Sequence, residues 1–137
     1  MHTAEFGKLL GIITKDYQTH MEGQLAPTLT MSQLAVLEHL EREGSLKPSE
    51  LIPFLSITPA AVTMLLDRME RGELIHRERD EEDRRIVWVS ITDKGKQEVL
   101  RGVRLRDSYL EGVLDRLSTH NQQLLVYLLG KISGTKA

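Results

Sequence analysis

The segment from Thr58 to Thr92 constrains the fold most, because it sets a helix marked at both ends directly before two short β-rich runs joined by a polar loop. The Thr58 hydroxyl can accept from a free amide of the first helical turn. Pro59 suits the first helical position, where its φ is preset and its missing N–H is no loss. Gly72 closes the helix. With the helical period, Val62, Leu65, Leu66 and Met69 form one apolar stripe, and Ala60, Ala61, Thr63, Met64, Asp67, Arg68 and Arg71 point elsewhere. The runs Leu74–Arg79 and Ile86–Ile91, separated by Asp80-Glu81-Glu82-Asp83-Arg84-Arg85, predict an antiparallel hairpin with arginines at its tip.

Around this centre the chain reads as helical. Phe6, Leu9, Leu10, Ile13, Tyr17, Met21 and Leu25 recur at three and four residues, the spacing of one helix face. Thr30 and Gln33 have the spacing of a capping box, Leu34, Leu37 and Leu40 follow on one face, and Gly44 supplies the stop. Pro48 suits the first turn of a short helix carrying Ser49, Glu50, Leu51, Ile52 and Leu55. Pro53 within it removes a donor and crowds the carbonyl four residues back, which predicts a short, bent or tightened helix near Phe54. Val99, Val103, Leu110, Val113, Leu114 and Leu117 form another stripe. Ser118 is a candidate cap, and Leu124, Leu125, Leu128, Leu129 and Ile132 follow it. The expected fold is mainly α with a small β-hairpin wing, a winged helix-turn-helix flanked by N- and C-terminal helices. One domain, 1–137, would comprise dimerisation helices in 1–28 and 99–137 and a winged lobe in 30–97. The terminal stripes carry more apolar surface than the small centre can cover, so two copies are expected to pair; the alternative is packing within one chain.

Composition removes several classes of function. With no cysteine there are no disulfides, thiolate metal sites or thiol redox sensors. His2, His20, His39, His76 and His120 show no metal-ligand spacing, so neither metal nor cofactor is expected. No nucleophile elbow, phosphate loop or metal triad points to an enzyme. No apolar run reaches the roughly 20 residues that span a bilayer, and the start Met1-His2-Thr3-Ala4-Glu5 lacks the order of a signal peptide, so a soluble cytoplasmic protein without membrane contact is expected.

The formal charge is −2. From Thr58 to Lys96 there are eight Lys and Arg against nine Asp and Glu, a net of −1, so any nucleic-acid contact must be local. A helix entering the major groove needs small or polar groups at its N-terminal end, which Ala60, Ala61 and Thr63 provide, and free amides near Thr58 and Ala60 can meet a phosphate. Arg85, with Arg84 beside it, can enter a minor groove; the competing reading is a solvated charge run or an internal salt bridge to Asp83. A winged module that binds protein instead of DNA is the second rival, since fold does not dictate ligand.

The pattern Asp83-x-Arg85, five residues, Ile91, Thr92 and then Gly95 resembles the wing signature of MarR-type bacterial transcription regulators. Leu66-Asp67-Arg68-Met69-Glu70 near the end of the reading helix, the order of stripes and the length are also similar to that family, so the resemblance covers essentially the whole chain. It implies a homodimer, joined through the first and last two helices, that binds double-stranded DNA at a palindromic operator, as a ligand-responsive repressor. By that resemblance Thr58, Pro59, Ala60, Ala61, Thr63, Met64 and Arg68 fall on the major-groove helix and Arg84 and Arg85 on the minor-groove wing, with Ser49 and Arg77 at places that touch phosphate. Met64 departs from the cation common there, as Pro53 and Glu81-Glu82 depart from the family pattern. The resemblance also implies a small phenolic or amphipathic effector, for which Tyr17, His20, Met21 and His39 are candidate pocket residues; aromatic and Met residues on an apolar helix face equally suit a core.

Overall fold

The computed structural model describes residues 1–135. Its elements are α1 (Thr3–Leu25), α2 (Met31–Glu43), α3 (Pro48–Leu55), α4 (Pro59–Arg71), β1 (Ile75–Arg79), β2 (Val87–Ile91), α5 (Asp93–Leu114) and α6 (Thr119–Ser133). Two compact units contain them, one of Met1–Val103 and one of Arg104–Ala137. α5 runs without a break through the boundary expected at residues 97–99.

Local chemistry sets most helix ends. Thr30 and Gln33 form the reciprocal capping box, with both bonds at 3.1 Å. The Thr58 hydroxyl accepts from the Ala61 amide and that of Ser118 from the Asn121 amide, so each satisfies an otherwise orphaned donor. Gly44 ends α2 at φ 80°, a region open to glycine. α4 stops differently: Gly72 keeps a negative φ, and Glu73 takes the positive one, φ 63°. α3 is short, as Pro53 predicts. It ends at Leu55, two residues beyond the proline, with Ser56 in the left-handed conformation as its C-cap.

The hairpin pairs Ile75 with Ile91 and Arg79 with Val87 in antiparallel register. A piece of chain the sequence did not reveal joins it: Leu46, between α2 and α3, bridges Val89 through bonds of 3.0 and 2.7 Å. In the first unit the core gathers Met21 and Leu25 of α1, Leu34, Val36, Leu37 and Leu40 of α2, Leu51 of α3, Val62, Leu66 and Met69 of α4, then Leu74, Ile75, Val89 and Val99. Leu65, expected in the buried stripe of α4, is only half-buried, since it lies at the stripe's edge.

The junction of hairpin and α5 is closely tied. The Thr92 hydroxyl lies 2.6 Å from the Glu73 carbonyl and 3.0 Å from that of Leu74, and accepts from the Gly95 amide. Lys94 Nζ donates to the Gly72 carbonyl. Further along α5, the Arg101 guanidinium donates to the Gln24 and Leu25 carbonyls and to Thr28 Oγ1 while pairing with Glu98 at 2.8 Å. It thereby places a positive charge on the carbonyls at the C-terminal end of α1, where it is favoured, and adds a second donor to the Leu25 carbonyl, which also accepts from the Leu29 amide.

The terminal stripes are helical, but much of their apolar surface is bare. On α1, Phe6, Leu9, Leu10 and Ile13 are exposed, whereas Met21 and Leu25 are buried. On α6, Leu124, Leu125, Leu128, Leu129 and Ile132 are all exposed. In the second unit a cavity of about 810 Å³ is lined by Leu114, Gln122, Val126, Tyr127 and Lys131 among others. No single described helix is long and apolar enough to cross a membrane.

Candidate nucleic-acid interface

α4 turns Val62, Leu66 and Met69 into the core and leaves Thr58, Pro59, Ala60, Thr63, Met64 and Arg68 exposed, with Ala61 half-buried at the edge. Ala60, Thr63 and Met64 lie three and four residues apart and so share one face. The Thr63 hydroxyl donates to the Pro59 carbonyl at 3.1 Å, which occupies its proton and leaves oxygen lone pairs and a methyl group outward. Met64 is 57% exposed. Ser49 lies exposed in the first turn of α3, one residue after Pro48.

Arg77, expected near phosphate, is already engaged. Its guanidinium sits 2.7 Å from Asp67 Oδ1 and 2.9 Å from Glu70 Oε1, and its backbone amide donates to Glu70 Oε2. The pairing raises the Arg77 pKa, chiefly through the bond to Glu70, and lowers that of Glu70, chiefly through the bond to Arg77. One cation between two acids fixes β1 to α4. A phosphate at this place would have to compete with both carboxylates.

The loop between the strands is organised by Asp80. One carboxylate oxygen accepts from the Trp88 indole at 3.0 Å, and the other from the Glu82 and Asp83 amides. The indole bond first, then the Asp83 amide, hold its pKa below the ordinary value. Asp83 accepts from the Arg85 amide, and its two oxygens take Arg85 Nε and NH2 at 3.0 Å each. The Arg85 guanidinium lowers the Asp83 pKa and has its own raised in turn. The salt bridge to Asp83 is present, and the Arg85 side chain is nonetheless 91% exposed. Arg84 is exposed too, and its carbonyl accepts from Arg79 at 2.7 Å, closing the loop from the other side.

These pairings bear on the net negative charge. Asp67 and Glu70 are spent on Arg77 and Asp83 on Arg85, while Arg68 and Arg84 stay exposed. The Asp67–Glu70–Arg77 cluster and the Asp80–Trp88 bond escaped sequence reading, because the first depends on β1 packing against α4 and the second on the strand register. Of the candidate effector residues, Tyr17 and His20 are half-buried on α1, and Met21 is fully buried, which assigns it to the core. His39 stacks on Phe54 with ring centroids 4.1 Å apart. Among the described residues no three His, Asp or Glu converge as a metal site.

A helix with a small-residue N-terminal face, followed by an arginine-tipped hairpin on the same unit, defines a winged-helix protein. Residues 29–87 match the MarR family model. The transcriptional regulator HosA of Escherichia coli O157:H7 is 33% identical over 109 residues, covering 80% of this chain and 81% of HosA. The HTH-type transcriptional repressor MdtR of Bacillus subtilis (strain 168) is 43% identical over 77 residues, covering 54% of this chain and only 50% of MdtR. Among solved structures, a MarR family protein from Bacillus stearothermophilus superposes with a TM-score of 0.85 at 28% identity, covering 96% of this chain and 93% of that one. A mutant MarR from E. coli complexed with operator DNA gives 0.75 at 25% identity, covering 93% of each chain. Bordetella bronchiseptica BpsR, whose DNA binding is regulated by 6-hydroxynicotinic acid, gives 0.75 at 25%, covering 94% of this chain and 98% of BpsR. This chain belongs to the MarR family and is a DNA-binding transcriptional regulator.

Proposed function

We propose that the chain works as a homodimeric repressor in the cytoplasm, setting α4 into the major groove and the β1–β2 loop into the adjacent minor groove of a short palindromic operator. The observation that carries this reading is the pairing, on one compact unit, of the exposed Ala60–Thr63–Met64–Arg68 face with the exposed Arg84–Arg85 tip. Ser49 and the Ala60 amide in the first turn of α4 supply backbone anchors. Pairing of two copies is supported by the bare apolar side chains of α1 and, separately, of α6, since contiguous apolar surface of this kind marks an interaction site. MdtR, a repressor, and BpsR, answering to a small hydroxylated aromatic acid, support the repressor role and an effector of similar chemistry. The half-buried Tyr17 and His20 and the His39–Phe54 stack are the residues assigned to effector binding.

The test combines sedimentation with a mobility shift on random-sequence and selected duplexes. The reading requires a dimer, binding that weakens steeply with added salt, and a footprint of two half-sites roughly 10 base pairs apart centre to centre. A monomer, or a footprint without two-fold symmetry, refutes it. Release of the duplex by small phenols tests the effector role.

A further inference from the structure

We propose that the operator is read in the major groove chiefly through thymine methyl groups, contacted by Ala60, Thr63 and Met64. This rests on the DNA-reading role given to α4 above and names what that helix recognises. Base edges are usually discriminated by bidentate side chains: Arg or Lys on guanine, Asn or Gln on adenine. α4, Pro59–Arg71, contains no Asn, Gln, Ser or Lys. Its only cations, Arg68 and Arg71, lie in its last turn, whereas a reading helix enters the groove by its N-terminal residues. Its acids, Asp67 and Glu70, lie in the second half of the helix and are paired with Arg77, so no carboxylate stands at the N-terminal end as an acceptor for cytosine. The one hydroxyl on the outward face, Thr63, has given its proton to the Pro59 carbonyl.

Apart from the Thr63 lone pairs, which can only accept, the N-terminal part of that face offers methyl and thioether surface: Ala60, the Thr63 methyl, and Met64 at 57% exposure. The thymine C5-methyl is the apolar feature that the major groove displays, and it distinguishes the two orientations of an A·T pair. Met64 suits such a contact, since its unbranched chain follows an irregular apolar surface. A defined set of thymines in each half-site, with little selection for guanine under the first two turns of α4, is the consequence.

The experiment begins with selection of bound duplexes from a random pool by the full chain. The selected duplex is then resynthesised with 2′-deoxyuridine in place of thymine, one position at a time and then together. Removing one contacted methyl weakens binding about fourfold, the factor that corresponds to about 0.8 kcal/mol per buried carbon, and removing one from each half-site weakens it about 16-fold. Met64→Ala lowers affinity for the thymine duplex and leaves the uracil duplex unchanged. Thr63→Val keeps the thymine preference, while Thr63→Ser reduces it. Affinity for the uracil duplex within about twofold of the thymine duplex, or an undiminished preference in Met64→Ala, overturns the proposal while the DNA-reading role survives. Failure to enrich any sequence removes that role, and this proposal with it.

Discussion

Gly95→Ala should be among the most damaging single-methylene additions in this protein, and Gly102→Ala, seven residues along the same helix, should be nearly harmless. A Cβ on Gly95 would overlap the Leu74 carbonyl oxygen and lie 2.7 Å from Ile91 Cγ1 and 3.3 Å from Leu37 Cδ2. The carbonyl cannot step aside freely, because it accepts from the Thr92 amide at 3.1 Å and shares the Thr92 hydroxyl proton, at 3.0 Å, with the Glu73 carbonyl. Overpacking costs about 1–3 kcal/mol, and two strained hydrogen bonds cost about 1 kcal/mol each, offset by at most about 1 kcal/mol of helix propensity. The net is about 3 kcal/mol, a fall in Tm of roughly 10 °C for a chain of this size. At Gly102 the obstacles are Leu34 Cδ1 and Cδ2 at 2.7 and 2.9 Å, the far end of a side chain that can change rotamer. A rotamer adjustment of about 1 kcal/mol is then cancelled by the propensity gain. Thermal unfolding followed by far-UV circular dichroism, at one fixed protein concentration, measures both variants. A Gly102→Ala loss equal to or larger than that of Gly95→Ala refutes the distinction between a pinned carbonyl and a yielding side chain.

Arg77→Met leaves Asp67 and Glu70 facing each other uncompensated. With these side chains 25–47% exposed, the loss in urea unfolding should be about 1 kcal/mol at neutral pH. Because the Glu70 pKa is lowered in the folded state, that stabilisation is present above the ordinary carboxylate range and disappears as pH falls through the folded value, so variant and wild type should converge in acid. The same sign holds for Asp80 and Asp83, so the hairpin loop should loosen below about pH 4. Trp88 emission should report this before the helical dichroism falls, and simultaneous transitions would count against a local event. Arg85→Ala should weaken operator binding and lower the salt slope while sedimentation still shows a dimer; an unchanged mobility shift contradicts the role given to the tip. Ile13→Asp on α1, placing a charge on bare apolar surface, should yield monomers by sedimentation, and a persistent dimer would remove α1 from the proposed seam.

The parts of the fold legible beforehand were those written in neighbouring residues. Thr30 with Gln33, Thr58 with Pro59, and Ser118 announce helix starts because the donors they satisfy lie within one turn. The β-rich run ending at Thr92 announced the second strand for the same reason. What stayed hidden depends on register. Leu46 has no strand neighbours of its own, and only the position of Val89 gives its amide and carbonyl a partner. Arg77 was expected near phosphate, and its commitment to acids follows from β1 lying against α4 so that Asp67 and Glu70 reach it from one helix face. The salt bridge to Asp83, one alternative to groove entry for Arg85, is formed, and it engages Nε and one terminal nitrogen while the side chain stays exposed.

Arg101 gives the molecule a mechanical property. By fastening the last carbonyls of α1 and the following Thr28 to the helix that grows from Thr92, it turns the bare-faced N-terminal rod into a lever with a fixed fulcrum. The start of that same α5 is bonded through Thr92 and Lys94 to the carbonyls of Gly72, Glu73 and Leu74, at the root of the hairpin.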